Sequence, residues 1–292
     1  MAERYLTTYY FHGQDLCMVP RHVREDIAWM KDHGVDGVCV GVHEADLQGG
    51  NHDLVVSEIE RAGLDVWLIP SRLGGLVAGW HRAPGYFAAA NPECCARNAD
   101  GTTRTCFGPM LSVFHPRTAE FLAETVNEML RRFPARGIVW DELKSLDGED
   151  HSRAALDALG RPAAAEDMLG ATAACFSAAN RRILEQHPAL EIVNFIYASC
   201  EDTLADACAG IDGLTRFGCD GKCWLPGESD DGEGGSRKVL LGGVLERFKE
   251  AAAARGLESF ALLETQLLGV DSLELTMRYL PELLDNAPDH LC

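Results

Sequence analysis

Two carboxylates stand side by side in GIVWDELKSL, residues 137–146, where Gly137-Ile138-Val139-Trp140 gives way to Asp141 and Glu142, with Lys144 two residues on. Glu264 closes another apolar run in ESFALLETQ, and Asp220 follows Gly218-Cys219. A carboxylate can serve as nucleophile, general base or, when protonated, general acid. Two of them flanking one bond are what glycoside hydrolysis requires, roughly 5–5.5 Å apart when one attacks and the other shuttles the proton. Polar groups also end the remaining apolar runs. Tyr10 and His12 follow the first, His43 and Glu44 the second, Arg72 the third, Asn194 and Tyr197 the fifth, and Gln266 lies two residues past Glu264. A lone acid at such a place is commonly a helix cap. The coincidence of seven ends is what points to a shared site.

The elements that must position these groups alternate along the chain. Strands are expected at Tyr5–Phe11, Val35–Val42, Leu64–Pro70, Gly137–Trp140, Leu190–Ala198, Gly213–Phe217 and Ser259–Leu263. Helical spacing of apolar residues marks Arg21–His33, Asp53–Ala62, Thr118–Phe133, Ala163–His187, Thr203–Ala209, Val239–Arg255 and Leu273–Asn286. A strand–helix unit repeated about seven times, with no second domain, predicts a single parallel (β/α)8 barrel over residues 1–292, whose active site gathers at the C-terminal strand ends. An eighth strand would begin near Asp289, so the wall closes on a minimal last strand or stays open there. A doubly wound open sheet is the runner-up, and no GxGxxG follows the first strand to support it. Two irregular stretches, residues 71–116 and the run GCDGKCWLPGESDDGEGGSRK, are long enough to be functional loops.

Composition narrows the partners. Of 292 residues 47% are hydrophobic, enough for a large core. Twenty-six basic against 45 acidic residues give a net charge of −19, which disfavours nucleic acid and suits a neutral or cationic small molecule. No apolar run approaches the about 18–20 residues of a membrane span, and the N-terminus lacks the basic and apolar blocks of a signal peptide. Eleven scattered cysteines then read as mostly reduced thiols of a cytoplasmic protein.

With Glu142 after strand 4 and Glu264 after strand 7, the chain resembles the clan-A glycoside hydrolases. The loop NPECCARNADG…SVFHP, residues 91–116, is similar to the substrate loops of family 42 β-galactosidase-like barrels. The resemblance covers most of the chain in layout, through short motifs. It implies Glu142 as acid/base and Glu264 as nucleophile of a retaining enzyme without a cofactor, acting on a small or neutral glycoside. The family's Asn before the acid/base is here Asp141, which can tune Glu142 or accept a substrate hydroxyl. A different pairing, Asp141 with Asp220, resembles the α-galactosidase-type clan. The choice turns on which strand-4 carboxylate points into the barrel.

The remaining rim residues are expected to bind the sugar. Trp80, Trp140 and Trp224 offer stacking faces, Arg72 a bidentate partner for a carboxylate, and His12 and His43 donors to hydroxyls, with Tyr10, Tyr197 and Gln266 beside them. Cys219-x3-Cys223 fits a zinc pair only loosely, and adjacent Cys94-Cys95 fits badly. His12, His43, Glu142, Asp220 and Glu264 would be the donors were the barrel a metal-dependent sugar isomerase or lyase, although the His-x-His of amidohydrolases is absent after strand 1. A non-catalytic carbohydrate-binding barrel is the reading from another class. A homo-oligomer that covers an open eighth wall is a further expectation.

Overall fold

The run Gly37-Val38-Cys39-Val40-Gly41-Val42 is buried along its whole length, as a strand covered on both faces must be. In the computed structural model of the chain it forms β2 (Gly37–Val42). The structure describes residues 4–15, 18–80, 85–106, 108–221, 241–263, 281 and 284–292. The other strands are β1 (Tyr5–Tyr10), β3 (Asp65–Pro70), β4 (Gly137–Asp141), β5 (Glu191–Tyr197), β6 (Arg216–Gly221), β7 (Glu258–Leu263) and β8 (His290–Leu291). Between them run α1 (Pro20–Asp32), α2 (Asn51–Ala62), α3 (Tyr86–Ala90), α4 (Pro116–Arg132), α5 (Arg153–Leu159), α6 (Ala165–Gln186), α7 (Asp202–Ala209) and α8 (Leu241–Ala253). The strands follow in sequence order around a closed parallel barrel. The wall therefore closes, on an eighth strand of two residues.

The chain divides into two compact units, Thr8–Ile192 with Ile211–Gly213, and Met1–Thr7 with Val193–Gly210 and Leu214–Cys292. In the larger unit β2 pairs with β3 without a slip from Gly37–Asp65 to Val42–Pro70, and β3 pairs with β4 at Trp67–Gly137. Gly137 is required there: a Cβ would stand 2.3 Å from the Trp67 ring and 2.5 Å from the Glu191 carbonyl oxygen. Below it Arg136 bridges Asp65 and Glu191, each at 2.7 Å. Helix punctuation is local. Pro20 and Pro116 open α1 and α4, Gly63 closes α2 at φ 71°, and Ser152 caps α5 by accepting from the Ala155 N–H at 3.2 Å.

In the smaller unit Phe195 of β5 stacks on Phe260 of β7 at 5.4 Å. His290 explains how two residues suffice for β8. Its ring is fully buried, meets Tyr5 and Phe260 edge-on at 4.9 Å each, and its Nε2 lies 2.8 Å from Thr7 Oγ1. Strand 6 corrects the sequence expectation of Gly213–Phe217. Gly213 sits at φ 82° in a turn packed on Leu184 and Asn180, so the strand starts only at Arg216 and runs on through Asp220 to Gly221. The helix expected at Leu273–Asn286 falls largely outside the described residues. Helices α3 and α5 were not expected.

Candidate active site at the strand ends

Strand alternation decides which strand-end groups face the barrel interior. On β4 the Trp140 indole N–H donates to Asn180 Oδ1 at 2.9 Å and the ring meets Phe176 edge-on at 5.2 Å, both on α6. Trp140 therefore faces the helical layer, and Gly137, Val139 and Asp141 face inward. Trp140 is a core residue rather than a stacking surface at the rim. Asp141, the last residue of β4, is buried. Glu142 lies beyond the strand, in the left-handed region at φ 38°, with Lys144 Nζ 2.5 Å from its Oε2.

The same logic sorts the other candidates. Tyr10 also faces outward: its hydroxyl donates to Asp26 on α1 at 2.9 Å, and burial together with that carboxylate pushes the phenol above its ordinary pKa. On β6, Phe217 packs on Phe248 of α8 at 5.9 Å, which leaves Arg216, Gly218 and Asp220 on the opposite face. On β5, Asn194 Nδ2 donates to the Cys208 carbonyl of α7 at 3.4 Å, so Tyr197 shares the inward face, and it is the register partner of Asp220. His12 is exposed and its Nδ1 lies 2.6 Å from Asp15 Oδ2. His43 is buried. Glu264, Gln266, Trp224 and Cys223 lie outside the described residues.

The loop after β3 is strapped to the end of β4. The Arg72 N–H donates to the Ala78 carbonyl at 2.9 Å, the Ala78 N–H to the Asp141 carbonyl at 2.6 Å, and the Lys144 N–H to the Leu76 carbonyl at 2.8 Å. Ser71 Oγ donates to the Trp80 carbonyl at 2.9 Å. Gly79 must be glycine: at φ 113° a Cβ would lie 2.2 Å from Ser71 Oγ. Among the described residues only Arg72, at φ 56°, and Glu142 are non-glycine with positive φ. Each follows a barrel strand closely. Left-handed backbone at such residues costs of order 1–3 kcal/mol and concentrates at functional sites. Trp80 at the end of this loop is half exposed and stacks on Phe11 at 5.8 Å, and Phe11 in turn covers Gly41 of β2.

Asp150, which sequence reasoning passed over, holds the outer loops. It is fully buried and accepts from Ser112 Oγ at 2.5 Å, the Arg97 N–H at 3.1 Å and the Ser152 N–H at 2.8 Å. It thereby ties the 91–112 loop to the segment leading from β4. Nothing in its local sequence, GEDHSR, marks it as more than a loop acid. Glu44, which the sequence places with His43 at the end of the second run without giving it a role, is also buried. Cys106 reports a cationic flank: burial raises its thiol pKa, and Lys144, Arg72 and Arg104 oppose that rise. The nine described cysteines are free thiols. Among the described residues no group of three or more His, Cys, Asp and Glu could hold a metal ion, and no helix is long and apolar enough to cross a membrane.

No protein-family model matches the sequence, and no curated protein does. Solved structures do match in fold. The catalytic domain of a β-amylase from Paenibacillus polymyxa aligns with TM-score 0.66 at 9% identity, over 99% of this chain and 92% of that one. A β-galactosidase from Rahnella sp. R3 aligns with TM-score 0.53 at 14% identity, over 78% of this chain and 41% of that one. An α-galactosidase from Lactobacillus brevis aligns with TM-score 0.50 at 11% identity, over 97% of this chain and 40% of that one. This chain thus spans about two-fifths of the length of either galactosidase. At these identities what the chain shares with the three is the barrel fold.

Proposed function

We propose that the chain is a glycoside hydrolase for a small or neutral glycoside, with Asp141 rather than Glu142 as its strand-4 catalytic carboxylate. One observation carries the choice. Trp140 is turned out to Asn180 and Phe176, so its in-strand neighbour Asp141 is turned in. Within its own unit Asp220 lies on the face of β6 opposite Phe217, and the resemblance to the α-galactosidase-type clan is what offers it as the second carboxylate in this reading. Glu142 lies past the end of the strand, ion-paired with Lys144.

In the first step the Asp141 carboxylate attacks the anomeric carbon as the glycosidic C–O bond breaks. Asp220 gives its proton to the departing oxygen. In the second step the Asp220 carboxylate takes a proton from water, the water oxygen attacks the same carbon, and the bond to Asp141 breaks. The neighbours in fold are named as amylase and galactosidases, and the charge of −19 suits a neutral substrate. The second reading keeps Glu142 and Glu264 as the pair; the left-handed backbone at Glu142 favours it.

Hydrolysis of a panel of aryl glycosides by D141N, D220N, E142Q and E264Q separates the two. On this reading D141N and D220N lose about 10³-fold or more, E142Q and E264Q stay within about tenfold, and D220N recovers on a dinitrophenyl leaving group that needs no proton. The opposite pattern selects the second pair. Equal rates in all four would sink both.

A further inference from the structure

We infer that the rim corner after β2 is a hydroxyl-recognition subsite for a neutral sugar, where His43 Nε2 donates and the Oε1 atoms of Glu44 and Gln14 accept. This rests on the glycosidase reading for its ligand class, and on three independent side chains for its existence.

Each of the three is oriented by one bond to protein and leaves one atom unmatched. The Ala45 N–H donates to His43 Nδ1 at 3.2 Å, which puts the ring proton on Nε2. The Phe87 N–H donates to Glu44 Oε2 at 3.1 Å. Gln14 Nε2 donates to Asp46 Oδ2 at 3.3 Å, and the same oxygen receives the His43 N–H at 2.7 Å. Nε2 of His43, Oε1 of Glu44 and Oε1 of Gln14 are all buried without a hydrogen-bond partner. His43 is 4% exposed and Glu44 8%. A buried polar atom left unsatisfied costs about 1–3 kcal/mol, so three at one corner are a concentrated expense.

Glycine backbone packs directly against two of these atoms. A Cβ on Gly85 would stand 3.0 Å from Glu44 Oε1, and one on Gly41 would stand 3.0 Å from Gln14 Oε1. Apolar surface lies alongside, since Phe11 covers Gly41 and stacks on Trp80. One donor, two acceptors and an aromatic face match the hydroxyls and the C–H face of a pyranose. A hydroxyl both donates and accepts, so adjacent hydroxyls satisfy all three atoms. A sugar carboxylate would instead meet Glu44, charge against charge.

The test is binding, read by ligand-observed NMR with neutral hexoses and the corresponding uronates, on the wild type, E44Q, H43N and D141N. E44Q keeps an acceptor for the Phe87 N–H, and H43N keeps a cap acceptor while removing Nε2. Circular dichroism establishes that each variant is folded. The expected result is that a neutral hexose binds the wild type and D141N, that the uronate does not, and that E44Q and H43N each weaken binding about tenfold or more. The inference is overturned if no neutral hexose binds the wild type, if the uronate binds as tightly, or if the folded variants bind like the wild type because the atoms enclose only a water. Failure of the catalytic reading would look different: D141N would turn over substrate while the binding pattern stood.

Discussion

Replacing Asp150 by Ala removes the post that holds two rim loops together. Three donors converge on this carboxylate: the Ser112 hydroxyl at 2.5 Å and the N–H groups of Arg97 and Ser152 at 3.1 and 2.8 Å. A hydrogen bond to a charged group contributes roughly 1.5–3 kcal/mol, and a buried donor left unpaired costs about 1–3 kcal/mol. The two sums overlap because one bond cannot be lost twice, and the carboxylate's own desolvation is recovered on its removal. A net loss of about 4 kcal/mol follows, a large part of the about 5–15 kcal/mol by which domains are stable. D150N should lose only about 1–2 kcal/mol. Its Oδ1 still accepts from both N–H groups, and the Ser112 hydroxyl can turn to Ser152 Oγ at 3.2 Å. Urea titration of the three proteins at one pH measures both differences from the midpoints at a shared slope. A D150A protein within about 1 kcal/mol of wild type would refute the assignment of Asp150 as the tie between the loops.

Two glycines should respond to the same change in opposite directions. G218A should yield no folded protein, because its Cβ would lie 1.7 Å from the Phe260 carbonyl oxygen, whereas G170A, in the open on α6, should gain about 0.5–1 kcal/mol in urea titration. The buried thiols should make the fold sensitive to alkali. Burial pushes Cys175 and Cys208 up to about 12 from the ordinary 9.0, so the folded state holds protons that the unfolded state releases. Stability is then undiminished below pH about 9 and falls as pH rises from about 9 towards about 12. In C175A, compared by urea midpoint across that window, the fall should be shallower; an identical slope would count against it.

The barrel was legible because its signal is repetitive. Runs such as Val38–Val42 and Val66–Ile69 are free of charged and polar side chains throughout, and the second is closed at once by Pro70. What escaped the sequence was decided by contact at a distance. Strand 6 was placed too early because Gly213-Leu214-Thr215 reads as extended, whereas the chain turns there against α6. Trp140 was taken for a stacking face, and Tyr10 for a rim residue. Each is a polar-tipped aromatic whose partner, Asn180 or Asp26, lies in the helical layer. The resemblance offers Glu142, and which member of a dipeptide at a strand end faces in depends on where the neighbouring Trp140 finds its acceptor. Tryptophan's indole N–H answers that question only once its acceptor is visible. Asp150 lacked any local mark and Glu44 only that of a strand end, since their significance lies in which of their oxygens are engaged.

Trapping the covalent intermediate tests the central claim most directly. A 2-deoxy-2-fluoro glycoside with an activated leaving group, matched to the best aryl substrate, slows breakdown of the glycosyl-enzyme more than its formation. Peptic digestion and mass spectrometry then locate the sugar. The account predicts one label, on Asp141. A label on Glu142 or Glu264, or turnover with inversion and no label at all, would contradict it.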